Sequence, residues 1–412
     1  MTVLNNRVSC VAAACAFFTT SAFAEDPTLT NPAISAVLDG YYQNTERPMA
    51  ERGEGFGLGH TEIAMSANID DMFYGKLTAV IEMHDGETEL GLEEAFIQTL
   101  AMPWGFSIRA GRFLSDVGYL NNQHVHTDAF SDRPAAYRAF LGSHYFDDGV
   151  RVNYVAPTDL YWTMGLEGFK GDSMRAAGGE HDEHDEHDEH EGHSDHAERE
   201  YKNIGVYTAY TKIGGDIGNG SWQAGLSYMR NENGRMVEGE HEDHAALAAG
   251  HEGHDHSHSA TFTGENTYIA DFVYKWAPNG NYKYQHLTVS GEYFRVTDFA
   301  PLEDGHDHDH DSADSVDDMQ GWYLSSVYQF SPNWSAGVRY GETDVQELHG
   351  DHFDAQKLKE TEVSLAWHHS HFSTVRLQYT NQKGTNYFGI EDDNVLTLQY
   401  VMTLGAHGAH QF

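Results

Sequence analysis

Apolar residues recur at every second position in a series of short runs along the chain, the pattern of strands with one apolar and one polar face. Leu396, Leu398, Tyr400, Met402 and Leu404 alternate with Thr397, Gln399 and Thr403; Val363, Leu365 and Trp367 alternate with Glu362, Ser364 and His368. Val375, Leu377 and Tyr379 oppose Thr374, Arg376 and Gln378, and Trp334, Ala336, Val338 and Tyr340 oppose Ser335, Gly337 and Arg339. Trp222, Ala224, Leu226 and Tyr228 make another such face. The pattern predicts strands near 33–42, 56–69, 72–83, 88–100, 105–113, 149–155, 159–170, 201–212, 221–231, 266–276, 283–296, 319–330, 334–344, 359–369, 372–382 and 394–404, about sixteen in all.

The connections sort into two classes. After the even strands they are short and turn-like: "IDDM" near Asp70, "MPWG" at Met102, "APTD" at Ala156, "APNGNY" from Ala277, "SPNW" from Ser331 and "HSHF" from His369. After the odd strands they are mostly longer. A soluble β-sandwich also alternates, but an even strand count with the long connections on one side is the organisation of an antiparallel outer-membrane β-barrel with both termini at the short-turn end.

The beginning of the chain agrees. One basic residue, Arg7, precedes an apolar or small-residue run from Val8 that ends in Ala22-Phe23-Ala24, which predicts a signal peptide at 1–24 and a barrel over 25–412. Both cysteines, Cys10 and Cys15, fall inside that leader, so metal binding in the rest must rely on His, Asp and Glu. No segment has the roughly 18 consecutive apolar residues of a spanning helix. Abundant aromatics and glycine with scarce proline favour a membrane barrel, and the chain closes on an aromatic, Phe412.

Charge changes the picture at the long connections. The formal net charge is −40, and much of it sits with most of the 28 histidines in four segments after the seventh, ninth, eleventh and thirteenth strands, in loops about 171–200, 232–264, 298–318 and 346–358. "EHDEHDEHDEHEGHSDH" carries His181, His184, His187, His190, His193 and His196; "HEDHAALAAGHEGHDHSH" carries His241, His244, His251, His254, His256 and His258; "HDHDHD" carries His306, His308 and His310; "HGDH" carries His349 and His352. None has the apolar residues to hold a fixed shape, so the segments are expected to be disordered. Imidazole with carboxylate suits zinc, and equally nickel or copper, so ligand type does not choose the metal. Such loops bind with moderate affinity and fast exchange, because each capture must offset ordering entropy. Solvation of long loops would need only Asp and Glu, so the repeated His points to metal.

The third long connection, Leu114 to Asp148, is different: it lacks low complexity and mixes aromatics with charge. Arg109, Arg112, Arg133, Arg138 and Arg151 gather around it, facing Asp116, Asp128, Asp132, Asp147 and Asp148. Folded into the lumen, it would make a constriction with a transverse field, or simply pin itself to the wall. Its "HVHTD" spacing makes His124, His126 and Asp128 the candidate ordered metal site with an open position. His60, His144, His286 and His368, and the pairs Glu93-Glu94 and His368-His369, are expected to be structural.

The runs "LEEAFIQTL" (Leu92 to Leu100), "IRAGRFLSDVGYLNNQHVH" (Ile108 to His126) and "YRAFLGSHYFDDGVRV" (Tyr137 to Val152) resemble a group of outer-membrane proteins linked to zinc-responsive regulation, and more distantly phosphate-selective porins. Members are sometimes described as energised receptors with an N-terminal plug. The short stretch between Ala24 and the first strand leaves no room for one, so the resemblance implies a porin.

Three functions remain open: a passive outer-membrane channel that gathers zinc or a similar divalent ion and passes it inward, a surface barrel that sequesters metal without transport, and a porin for anionic nutrients selected by arginine. No nucleophile elbow, phosphate loop or HExxH indicates an enzyme, no cofactor is required, and no nucleic-acid partner is implied. The expected partners are divalent ions and outer-membrane lipid; barrels of this size often assemble as homotrimers, and the periodicity does not decide that point. Protons compete for the loop imidazoles, so zinc capture by the loops is expected to weaken below roughly pH 6, which calorimetric zinc titrations between pH 5 and pH 8 would check.

Overall fold

The computed structural model describes residues 31–84, 87–174, 202–234, 264–297, 318–349, 352–384 and 393–405. The expected leader and the first three of the four histidine-rich combs, at 181–196, 241–258 and 306–310, lie outside these residues. One sheet contains β1 (Ala33–Gln43), β2 (Gly55–Leu58), β3 (Thr61–Asn68), β4 (Phe73–His84), β5 (Glu87–Thr99), β6 (Phe106–Leu114), β7 (Phe146–Val155), β8 (Tyr161–Phe169), β9 (Val206–Ile217), β10 (Gly220–Asn231), β11 (Asn266–Trp276), β12 (His286–Thr297), β13 (Met319–Ser331), β14 (Trp334–His349), β15 (His352–Ser370), β16 (Ser373–Lys383) and β17 (Asn394–Gly405).

Every neighbouring pair is antiparallel, and β1 pairs with β17 on one side and with both β2 and β3 on the other. The sheet therefore closes on itself. Because β2 and β3 share one neighbour, they are halves of a single stave, and the ring is a 16-strand barrel, as the alternation predicts. Closure pairs the backbone groups that an open edge would leave bare.

The faces are those of a protein turned inside out. Leu396, Leu398, Tyr400 and Leu404 are exposed, while Thr397, Gln399 and Thr403 between them are buried. Asp39, Glu62, Glu167, Asp271, Glu292, Glu360 and Glu362 likewise lie buried on the inner face. Exposed aromatics cluster towards the two ends of the staves: Trp334 stacks near Trp367 at the short-turn end, and Trp322 meets Tyr340 and Tyr228 meets Tyr268 towards the other. Such bands fit the two interfaces of a bilayer. A groove of about 750 Å³ on the outer face, lined by Phe106, Leu166, Leu226 and Tyr293, belongs to that apolar exterior rather than to the lumen.

Two boundaries differ from the pattern. The 201–212 strand runs instead as β9 over Val206–Ile217. Where 346–358 reads as a disordered loop, β14 and β15 continue as a long hairpin with His349 paired to His352 in register. The sequence there is polar and charged and shows little alternation, yet backbone pairing propagates along an existing hairpin.

The third long connection, L3 (115–145), turns into the lumen and carries a short helix, α1 (Ala135–Leu141), every residue of which is buried. Ala136, Tyr137, Phe140 and Leu141 pack with Phe113, Phe169, Phe294 and Tyr323 in an apolar core inside the barrel. Glu292 on β12 anchors the loop's start: it accepts hydrogen bonds from the Tyr119 and Leu120 amides at 2.9 and 3.2 Å, from the Tyr137 hydroxyl at 2.8 Å and from the Tyr323 hydroxyl at 2.6 Å. Glu292→Leu orphans these donors at about 1–3 kcal/mol each. The expected outcome is amide exchange at Tyr119 and Leu120 accelerated by tenfold or more, with the barrel strands unchanged.

Candidate functional site

L3 is fixed to the wall almost all the way round the ring. On the β8–β10 side, Ser115 and Asp116 bind Glu167, Asp116 pairs with Lys212 at 2.6 Å, and the Gly118 amide donates to Ser227. On the β14–β16 side, Arg339 donates to the Asp132 carbonyl at 2.6 Å and stacks its guanidinium over Phe130, while Ser131 and Asp128 are held by Gln378 and Arg376.

A clamp from the first long connection locks the loop's middle. Arg47 pairs with Asp132 (2.8 Å), Glu360 (2.9 Å) and Glu362 (3.0 Å), and Arg52 pairs with Asp132 (2.8 Å) and Asp39 (2.5 Å). Arg138 of α1 joins Glu360 at 2.7 Å. The room for Arg52 comes from Gly59, where a Cβ would stand 2.5 Å from the Asp39 carboxylate and 2.9 Å from the Arg52 guanidinium. Burial alone would raise the Asp132 pKa, but Arg52, Arg47 and Arg138 hold it well below the usual carboxylate range.

On the remaining side, between L3 and β3–β5, a set of histidines and glutamates converges. His124 Nδ1 lies 3.3 Å from Glu62 Oε2 and 3.2 Å from Glu93 Oε2, and its Nε2 lies 3.2 Å from Glu94 Oε2. His126 Nδ1 is 2.7 Å from Glu62 Oε1. His60 Nε2 is 3.3 Å from Glu62 Oε1 and 3.2 Å from Glu93 Oε1, and His144 Nε2 is 2.9 Å from the same Glu93 oxygen. Three overlapping groups, His60/Glu93/His144, Glu62/His124/His126 and Glu93/Glu94/His124, each bring three ligand atoms within 4.8 Å of one another. His60, Glu62, Glu93 and Glu94 are buried. Burial would lower the His124 pKa, but Glu62 and Glu93 overcome it and raise it well above the ordinary histidine value.

Polar satisfaction is poor at this spot. His60 Nε2, His144 Nδ1 and Nε2, His124 Nδ1 and both Glu93 oxygens are buried without a hydrogen bond of regular geometry, although several face one another within ion-pair distance. Buried imidazoles and carboxylates converging in this way offer a ligand set that a divalent cation could use.

Two strand irregularities aim these side chains. The break between β2 and β3 leaves His60 free to turn inward beside Glu62. In the β4–β5 ladder, Thr78 pairs with Glu94 and Ala79 with Leu92, so Glu93 is the extra residue of a bulge. Successive strand residues would face opposite ways; the bulge lets both Glu93 and Glu94 point into the lumen.

Of the expected site residues, His124 and His126 come together, but Asp128 does not join them: it pairs with Arg133 at 2.7 Å, and Glu62 takes its place. Arg133 also donates to the carbonyls of Leu120 and Gln123, and Arg151 pairs with Glu167 at 2.5 Å. Arg109 donates to Gln98 with its guanidinium 4.1 Å from the Phe96 ring centroid. Arg112 is not part of the lumen network, because it pairs with exposed Asp148. Asp147 accepts the Gly171 and Asp172 amides. His286 and His368 bond the Tyr282 carbonyl and the Ser335 and Thr374 hydroxyls, as wall residues do. His60, His144 and Glu93-Glu94, read from the sequence as structural, stand within the cluster. The available signals were the doubled Glu in an otherwise alternating strand and the HTE spacing of His60 and Glu62.

No protein-family profile matches the chain. An uncharacterized protein of Aquifex aeolicus (strain VF5) is 28% identical over 399 residues, covering 94% of this chain and 76% of its own length. Among solved structures, the outer-membrane channel DcaP of Acinetobacter baumannii superposes with a TM-score of 0.52 at 12% identity, covering 91% of this chain and 97% of its own. An anion-selective porin from Comamonas acidovorans gives a TM-score of 0.50 at 9% identity over 90% and 99%. The fold is thus that of a porin-like outer-membrane β-barrel. The likeness does not extend to the zinc-regulated group that the sequence runs resemble.

A carboxylate whose pKa is depressed by folding contributes stability above its unfolded value, about 3.9, and loses it only as pH falls through the lower folded value. The clamp on Asp132 should therefore keep the Ser131 amide equally protected from pH 7 to about pH 4 in hydrogen exchange. Asp132→Asn removes the carboxylate that Arg47 and Arg52 share, while Glu360, Glu362 and Asp39 remain; losing charge-assisted bonds of about 1.5–3 kcal/mol should cut that protection roughly tenfold or more.

Proposed function

We propose that the protein is an outer-membrane channel that gathers zinc or a similar divalent transition ion at its histidine-rich outer loops and passes it through the lumen to the periplasm. The observation that carries this is the set of His60, Glu62, Glu93, Glu94, His124, His126 and His144 placed where L3 narrows the barrel. Mixed imidazole and carboxylate ligands, none of them thiolate, suit a borderline divalent ion that must be released again. The acidic outer loops would concentrate cations within about 8–10 Å of the mouth at physiological salt. Zinc is cargo in this account, not a resident cofactor.

The alternative of an anion-selective nutrient porin draws on the arginines of the constriction and on the name of the Comamonas acidovorans porin. Against it, Arg47, Arg52, Arg133, Arg138, Arg151 and Arg339 each already face a carboxylate, while Arg109 and Arg376 are engaged by Gln98 and by Gln399 and loop carbonyls, which reduces the positive field offered to an anion. The sequestering alternative differs in a single observable, negligible conductance with high zinc stoichiometry.

In liposomes, deletion of the three longest histidine segments should lower zinc influx at low zinc concentration and spare it at saturation, whereas the His124→Ala/His126→Ala double variant should reduce influx at every concentration. Unchanged influx in both would sink the proposal. Reversal potentials should show cation preference; anion preference would favour the nutrient porin.

A further inference from the structure

We propose that the lumen cluster carries one divalent ion at a time in two overlapping seats, handed from one to the other across Glu93, with Lys76 as the built-in competitor that empties the inner seat. This rests on the reading of the cluster as a divalent-cation site. The two oxygens of Glu93 face different partners: Oε1 faces His60 Nε2 at 3.2 Å and His144 Nε2 at 2.9 Å, and Oε2 faces His124 Nδ1 at 3.2 Å. An ion held by His60, His144 and Glu93 can thus exchange its imidazoles for His124 and Glu94 without leaving Glu93. Glu62 spans the same gap, with Oε1 near His60 and His126 and Oε2 near His124.

The seats are ordered along the barrel axis. In the ladders, Glu62 lies opposite Val80, Glu94 opposite Thr78, and Lys76 two residues nearer the short turn from which β4 starts. His60 precedes Glu62 on the long-loop side. The His60/His144 seat is therefore the outer one, and the His124/Glu94 seat the inner one.

Charge limits the occupancy. An ion bound by the imidazoles displaces their protons; the three carboxylates and the ammonium of Lys76 then leave two negative charges, which one divalent ion balances, and a second ion would leave excess positive charge in a buried site. Lys76 Nζ pairs with Glu94 and lies 2.7 Å from His124 Nε2, so a cation already stands at the inner seat. An arriving ion must displace it, and its return drives the ion onward. Repulsion of this kind keeps the inner seat weak, as conduction requires.

Anomalous diffraction from crystals of the full-length protein soaked in zinc should show density at two positions within the cluster whose occupancies sum to a single ion. Lys76→Met should move occupancy to the inner position, lower the zinc concentration for half-maximal liposome influx roughly tenfold and slow the maximal rate. Glu93→Gln should empty both positions. Two simultaneously full positions, an inner seat indifferent to Lys76→Met, or full density surviving Glu93→Gln would overturn the two-seat mechanism while leaving the cluster as a metal site. Absence of zinc from the wild-type cluster would instead overturn the channel reading on which it rests.

Discussion

Ring closure is the constraint from which the rest of the structure follows. A sheet whose outer face is apolar can leave no backbone edge unpaired in hydrocarbon, so β1 must meet β17 and every stave must keep its register. Strict alternation then commits the other half of each stave to the inside. The lumen is consequently lined by side chains such as Asp39, Glu62, Glu167, Glu292, Glu360 and Glu362, which are buried once a loop covers them. Buried charge has to be paired, and L3 together with the first long connection brings the partners. The acidic wall and the basic residues of these loops are two parts of one electrostatic arrangement.

The places where the regular ladder fails are the places where chemistry collects. A perfectly alternating β5 would send either Glu93 or Glu94 into the apolar exterior; the bulge turns both inward. A continuous β2–β3 strand would put His60 and Glu62 on the outward face of Phe56 and Leu58; the break reverses the alternation, and the gap at Gly59 also admits the Asp39–Arg52 pair. His124 and His126 arrive on the same spot from L3, whose position is set on the far side by Glu292 and in the middle by the arginine clamp. Local geometry at the cluster thus depends on contacts spread round the whole ring.

Outer combs and inner cluster differ in kind. The first three combs lie outside the described residues, and the expectation from their sequence is that any capture there would cost ordering entropy. The inner side chains are pre-placed by strands and by a packed loop, so little ordering entropy is spent there. In the proposed channel, weak capture at the combs would precede an inner cluster that is already arranged.

The barrel is legible in the alternation alone. Alternation at Trp334–Tyr340, Val363–Trp367 and Leu396–Leu404 is a direct consequence of lipid on one side and water or polar loop on the other, and it placed nearly every stave. It also singled out L3 and the pair His124 and His126. It could not assign partners across the lumen, because a contact between Glu62 and His126 or between Arg47 and Glu360 depends on which staves stand opposite in a closed ring. Asp128 looked like a metal ligand from its spacing, yet the loop's path turns it towards Arg133. Glu93 and His60 read as structural because a bulge and a strand break leave only a faint mark on periodicity, and His144 because its place is set by the course of L3. That these residues meet depends on strand register and on the course of a folded loop, and neither is written in any short stretch of chain.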